Sequence, residues 1–194
     1  MTPTRPLCLA SISPRRRELL ERFGLVFEVF PPNVDEAARP GEAPTALVAR
    51  LAAEKARAAH ARFPGHLILA GDTVVLCDDQ LLGKPADAGE SAHMLALLSA
   101  RTHRVLSGYH LLDGPTGQIR MGTEETRVTF RALSPEWVRW YSHLPEGRDK
   151  AGGYAIQGVG GAMVRGIEGS YTNVVGFPIE AIIWDLLEQG WLVL

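Results

Sequence analysis

The chain has 194 residues with 20 basic and 22 acidic side chains, a formal net charge of −2, and a hydrophobic content of 46%. That length suits one domain whose core removes about 70% of the unfolded surface from water, and the composition excludes disordered, collagen-like and fibrous classes. The charge balance excludes the broad basic footprint of a nucleic-acid binder. No apolar run approaches the ~18 residues of a membrane span, and the apolar stretch Leu7–Ala10 is too short for a signal peptide, so a cytoplasmic protein is expected.

Leu7–Ala10 reads as a short buried strand. Ser13 suits a helix N-cap and Pro14 the first helical position, and the helix runs to about Phe23 before Gly24. Val26–Phe30 is a second strand closed by Pro31-Pro32, and Pro44 to about Arg62 is an Ala-rich helix. Leu67–Cys77 is a strand signal interrupted at Gly71-Asp72-Thr73, and Asp78-Asp79 turns it back. Ala88 to about Ala100 is helical, Arg104–Leu112 and Glu125–Phe130 are strands, and Ser134-Pro135 opens a helix to about Ser142. Residues 145–161 are Gly-rich, Met163–Ile167 is strand-like, and Pro178–Glu188 closes as a helix. The expectation is one α/β domain, residues 1–194, with a mixed, twisted central sheet flanked by helices.

Three positions break the local rules. The helix after Ser13 begins with Arg15-Arg16-Arg17, three cations against the positive end of the macrodipole, each costing about 0.3–1 kcal/mol if unrelieved. Arg16 falls on the apolar arc with Leu19, Leu20 and Phe23, Arg15 borders it, and Arg17 lies outside. An anion at this end, phosphate above all, resolves the conflict. Lys55 sits in the arc of Leu47, Val48, Leu51, Ala58 and Ala59, whereas Arg50, Glu54 and Arg57 form a solvent face, so Lys55 is expected to be a cleft-facing cation. Asp72 interrupts an otherwise apolar strand, a place where Asp is rare unless paired.

The remaining cues are weaker. Of the 20 basic residues only Lys55, Lys84 and Lys150 are lysines, and a compact ammonium does not substitute for a guanidinium fork. Gly83-Lys84 lacks the surroundings of a P-loop, Gly158-Val159-Gly160-Gly161 does not continue as a dinucleotide fingerprint, and no G-x-S-x-G or H-E-x-x-H occurs. Cys8 and Cys77 read as reduced, half-buried strand thiols. The six histidines read as structural or surface residues, and the four tryptophans as core.

Taken in order, Leu9-Ala10-Ser11-Ile12-Ser13-Pro14-Arg15-Arg16, Val34-Asp35-Glu36, Glu54-Lys55-Ala56, Gly71-Asp72-Thr73-Val74-Val75, Gly83-Lys84-Pro85, Asp149–Gly158 and Asn173–Pro178 resemble the Maf family of nucleoside triphosphate pyrophosphatases along the whole chain. The resemblance implies two lobes around a nucleotide cleft, an inosine-triphosphatase-like architecture. It also implies hydrolysis of a nucleoside triphosphate to monophosphate and pyrophosphate with Mg²⁺ or Mn²⁺. By position, Asp72 matches the proton acceptor that activates water against the α-phosphorus. Ser11, Arg15, Arg16, Lys55 and Lys84 match the substrate- and phosphate-binding residues. Arg15, Thr73 and Gln157 match the specificity positions, and Glu36 with Asp72 the metal-binding carboxylates. Base, metal ligand or both remain open for Asp72, since a metal-bound water can itself be the nucleophile.

The segment Gly153–Gly158 looks like the branch acting on dTTP and UTP; the 7-methyl-GTP branch is expected to carry an acidic residue in place of Gln157. A Gln amide both donates and accepts, which suits the N3–H and carbonyls of thymine or uracil. Gly153, where Ala is commoner, is expected to loosen its loop. The alternatives are a nucleotide-sensing inhibitor of septum formation with incidental catalysis, and a purine-directed pyrophosphatase of the 7-methyl-GTP or inosine triphosphate type. The expected partners are a nucleoside triphosphate and a second copy in a homodimer, with no nucleic acid and no membrane.

Overall fold

A computed structural model describes all residues, Met1–Leu194. Its elements in chain order are β1 (Thr2–Pro3), β2 (Leu7–Ala10), α1 (Pro14–Glu21), β3 (Phe27–Val29), α2 (Pro44–Arg62), β4 (Leu67–Cys77), β5 (Gln80–Leu82), α3 (Ala88–Leu98), β6 (Thr102–Asp113), β7 (Ile119–Phe130), α4 (Pro135–Ser142), β8 (Val164–Glu168), α5 (Tyr171–Val175), α6 (Ile179–Glu188) and β9 (Leu192–Val193). Seven strands form a mixed sheet in the order β3-β2-β4-β6-β7-β8, with β5 also on β4, and β1 pairs with β9 separately. The fold is the expected α/β arrangement of a mixed sheet with helices. No helix is long and apolar enough to cross a membrane.

The chain divides into two compact units. The first holds Met1–Asp72, Ser107–Glu124 and Gly176–Leu194. There β2 lies between β3 and β4, parallel to both, with Leu9 opposite Val29 on one side and Leu69 on the other. All four residues of β2 are buried, as the two-sided cover of a parallel strand requires. Helix α2 lays Leu47, Val48, Leu51, Ala52, Ala56 and Ala59 inward, and each of its large aliphatic side chains contributes about 1.5–3 kcal/mol by leaving water. Its approach is close at Gly108 of β6, where a Cβ would stand 2.6 Å from the Val48 carbonyl oxygen.

The second unit holds Thr73–Leu106 and Glu125–Val175. Its core gathers Val75, Leu82, Met94, Leu95, Leu98, Val105, Phe130, Tyr141, Tyr154 and Met163, with Phe130 and Tyr154 edge to face at 4.8 Å between ring centres. Helix α3 is capped by the Asp87 carboxylate, which accepts from Glu90 N at 2.8 Å, and α4 by the Ser134 hydroxyl, which accepts from Trp137 N. Three short 3₁₀ segments, Pro145–Gly147, Ala151–Gly153 and Val159–Met163, lie in the Gly-rich stretch.

Several local expectations are corrected. Strand β4 runs unbroken through Gly71-Asp72-Thr73, because neighbouring strands on both sides of it supply ladder partners that outweigh the low strand propensity of Asp and Gly. Ser13 occupies the N-cap of α1, yet its side chain makes no capping bond; Ser13 N instead donates to Ser11 Oγ at 3.2 Å. Strand β7 starts six residues early, since its first half is mostly exposed and shows no core-facing alternation. Cys8 and Cys77 are fully buried rather than half-buried. Trp140 and Trp184 are largely exposed, so only Trp137 and Trp191 pack inward. Gly153 has φ +72°, a left-handed conformation in which glycine is unstrained, so it suits its turn rather than loosening it.

Candidate functional site

In the first unit the three local anomalies meet. Lys55 points from the apolar face of α2 and is 5% exposed. Its Nζ donates to Asp72 Oδ1 at 2.7 Å and lies 2.6 Å from Glu36 Oε1. One ammonium therefore gathers two carboxylates from separate segments: Asp72 from the middle of β4, itself buried, and Glu36 from the irregular stretch before α2, more than half exposed. Lys55 offers three donors and no acceptor, so it can hold both acids at once. Neither acid has another buried carboxylate or a histidine nearby in the number that a resident metal cage needs. The donor set is instead two hard carboxylate oxygens, the kind that binds Mg²⁺ or Mn²⁺ together with substrate phosphates and water.

The arginines of α1 separate by depth as the helical wheel requires. Arg17 is exposed and pairs with Glu21 at 2.7 Å, Arg15 is half-buried, and Arg16 is buried. Arg16 Nη1 donates to Gly71 O at 2.6 Å and approaches Ser11 Oγ at 3.4 Å, and Nε donates to Gly176 O at 2.9 Å. Its guanidinium carbon stands 5.4 Å from the centre of the Phe177 ring, within cation–π reach. Burial lowers the pKa of Arg16, and the negative charge of Asp72 offsets part of that cost. The guanidinium thus fixes the carbonyl immediately before Asp72 while adding positive charge beside it.

The exposed stretch that bears Glu36 is tied down by residues the sequence placed on a solvent face. Arg50 forks onto Glu42, Nε to Oε1 at 2.6 Å and Nη2 to Oε2 at 2.8 Å, and Nη2 also donates to Ala37 O at 3.0 Å. Arg50 and Glu42 are mostly buried side chains. The pairing holds the Glu42 carboxyl down at about 2, chiefly through the hydrogen bond from Arg50. Glu54 joins through Arg50 Nη1 and Arg39 Nη2, both at 3.2 Å. Glu42 and Arg50 are eight residues apart, outside the i,i+4 spacing that a helix pattern reveals.

In the second unit, Thr73 follows Asp72 along β4 and is half-buried, whereas Lys84 and Gln157 are exposed. The Gly83-Lys84 loop is joined to the Ala151–Gly153 turn by Gly152 N donating to Gly83 O at 3.0 Å. Gln157 stands in a tight turn closed by Gly158 N donating to Ala155 O at 3.4 Å. Of the sequence-selected residues, the structure brings Ser11, Arg16, Glu36, Lys55 and Asp72 into the first unit's cluster.

Buried cations that organise two carboxylates are chemically suited to a polyanion and a hard cation. The family model described as Maf-like protein matches residues 6–189, and the chain belongs to that family. Similar curated proteins are named dTTP/UTP pyrophosphatase. That of Myxococcus xanthus is 48% identical over 97% of this chain and 94% of its own length. Those of Symbiobacterium thermophilum and Pyrococcus furiosus are each 46% identical, covering 95% of this chain and 94% and 95% of their own.

Proposed function

We propose that the chain is a nucleoside triphosphate pyrophosphatase that cleaves dTTP and UTP between the α- and β-phosphorus, releasing monophosphate and pyrophosphate. The observation that carries the reading is the Lys55 ammonium held within 2.7 Å of both Asp72 and Glu36 beside the buried Arg16. The names of the similar proteins supply the substrate class.

Phosphoryl transfer needs positioning and charge neutralisation more than covalent chemistry. Asp72 accepts the proton of the attacking water, and Lys55 keeps its carboxylate oriented while the proton moves. Ser11, Arg15, Arg16 and Lys84 bind the phosphates, and their charge stabilises the pyrophosphate as it leaves. Glu36 and Asp72 would hold a divalent cation, which supplies Lewis-acid polarisation of the phosphate oxygens when bound. Thr73, Arg15 and Gln157 select the base, with the Gln157 amide offering both a donor and an acceptor to the pyrimidine edge. The enzyme is further proposed to act in the cytoplasm as a homodimer, independently of nucleic acid; sedimentation velocity would read the dimer directly.

The test is product analysis with dTTP, UTP, CTP, dITP, GTP and 7-methyl-GTP in Mg²⁺ or Mn²⁺. Pyrophosphate release led by dTTP and UTP supports the reading. Orthophosphate release overturns the α-phosphorus assignment, and nucleotide binding without turnover moves the protein to a sensor.

A further inference from the structure

Gln157 lies in a tight turn whose two shoulders are held by one pair of side chains. On the leading side, Ala155 N donates to Tyr141 Oη at 3.1 Å. On the trailing side, Val159 N donates to Glu146 Oε2 at 3.0 Å and Gly160 N to Glu146 Oε1 at 2.8 Å. Tyr141 Oη donates in turn to Glu146 Oε1 at 2.7 Å, which joins the two halves. The turn itself closes through Gly158 N to Ala155 O. Both shoulders of the Ala155–Gly158 turn are therefore pinned to α4 and the 3₁₀ turn that follows it, while the Gln157 side chain stays exposed.

The chain around the clamp is shaped to allow it. A Cβ on Gly158 would stand 2.2 Å from Glu146 Oε2, and one on Gly160 would stand 2.5 Å from Tyr141 Oη. Glycine at 158 and 160 lets the chain pass this close to the pair, while Ala155, Val159 and Gly160 give it their amides. Tyr141 packs its ring in the hydrophobic core and is 1% exposed, so the acceptor for Ala155 N has little freedom to move. Burial and the Glu146 carboxylate push the Tyr141 hydroxyl up, keeping it a proton donor. Burial opposes ionisation of Glu146, but hydrogen bonds from Gly160, Tyr141 and Val159 and the charge of Lys150 outweigh it and hold its pKa below the ordinary carboxylate value.

We propose that Tyr141 and Glu146 are positioning residues for base selection: together they fix the backbone of the turn so that the Gln157 amide meets the substrate base in one orientation. This rests on the assignment of Gln157 to base recognition. A donor–acceptor side chain discriminates only when its backbone is fixed, since a turn free to shift lets the amide re-pair with the wrong base. The carboxylate suits the task because both its oxygens accept, whereas an amide in its place presents an NH₂ to one of the two backbone N–H groups.

The experiment measures kcat/KM for UTP, dTTP and CTP in Glu146→Gln, Tyr141→Phe, Gln157→Ala and the Glu146→Gln/Gln157→Ala double variant, with melting curves for each. The expected result is a roughly tenfold fall in UTP-over-CTP preference in Glu146→Gln, about the weight of one hydrogen bond to a charged group. A smaller fall is expected in Tyr141→Phe, and no further fall when Glu146→Gln is added to Gln157→Ala. If Gln157→Ala changes the preference and the two clamp variants do not, the clamp is overturned while the role of Gln157 stands. An equal loss for every nucleotide overturns it too, as a general packing effect. If Gln157→Ala itself leaves preference unchanged, the underlying assignment fails and the clamp has nothing to position. Should Glu146→Gln not fold, Tyr141→Phe decides alone, since it removes one hydroxyl and keeps the ring in the core.

Discussion

The acid pair on Lys55 and the turn that carries Gln157 are organised by opposite means. In the first, charge holds charge: side chains from α2, β4 and an irregular segment meet at one ammonium, with distances of 2.6 and 2.7 Å. In the second, side chains hold backbone, and Gln157, the residue proposed to read the substrate, stays exposed. The contrast follows from the chemistry proposed for each. Phosphate neutralisation tolerates a range of angles because Coulomb attraction falls slowly with distance. Reading a base edge needs fixed directions, which hydrogen bonds to a rigid turn provide.

Replacing Asp72 by Asn breaks the first region most severely. The side chain keeps its shape and loses its basicity, so kcat is expected to fall between about 10²- and 10⁴-fold, with some loss of stability because the buried Lys55 is left with Glu36 alone; pyrophosphate release and calorimetry check the two halves. Lys55→Met should be costly in another currency, leaving Asp72 buried beside Glu36 without the cation between them. Breaking such a pair costs about 3–5 kcal/mol of stability, which urea denaturation would read, and restoring most of that stability with a compensating Asp72→Asn would sharpen the argument.

The second region has its own sensitivity to pH. His103 is 1% exposed, its Nε2 is 2.8 Å from the Tyr154 hydroxyl, and its Nδ1 has no partner. Burial pulls its pKa down to about 4 from 6.5, so the folded state binds the proton less readily than the unfolded chain. Stability from this group is whole above about pH 6.5 and is lost as pH falls from there toward about 4. The loss is on the order of 3 kcal/mol. His103→Phe should flatten that limb of the stability–pH curve; a slope unchanged in the variant would assign the acid sensitivity elsewhere.

Arg50→Ala is the mildest probe. It removes the fork that secures Glu42 and the Ala37 carbonyl, leaving Lys55, Asp72 and Arg16 in place. A rise in KM of about three- to tenfold, the net weight of one hydrogen bond, with kcat little altered, is expected together with faster amide exchange across residues 36–42. An unchanged exchange rate would mean that the segment is ordered without Arg50.

Much of the first region was legible in the sequence because burying charge is expensive. Lys55 stood out on an apolar helical arc, Asp72 in an apolar strand and Arg16 on the wrong end of a helix, and these are the residues found together. What the pattern did not reveal was that β4 continues through Asp72, since ladder pairing comes from other strands and not from the residues concerned. Arg50 looked like a surface cation because its partner Glu42 lies outside the helix, and Glu146 and Tyr141 gave no local signal because their partners are backbone amides of a distant turn. Lys84, Thr73 and Gln157 were selected through family resemblance, since exposed polar residues on loops break no rule of burial.

The sequence by itself determined the alternation of strands and helices and the identity of the charges that had to find partners, because each follows from local propensity or from the cost of desolvating an ion, while the family was read from the resemblance of its motifs. Only the tertiary structure decided which partners they found. The Arg16 guanidinium turned to the carbonyls of Gly71 and Gly176, Glu36 was drawn to Lys55, and Glu146 took the amides of Val159 and Gly160. Those choices depend on separations of up to 160 residues closing to hydrogen-bond distance, and no local pattern records where the backbone will pass.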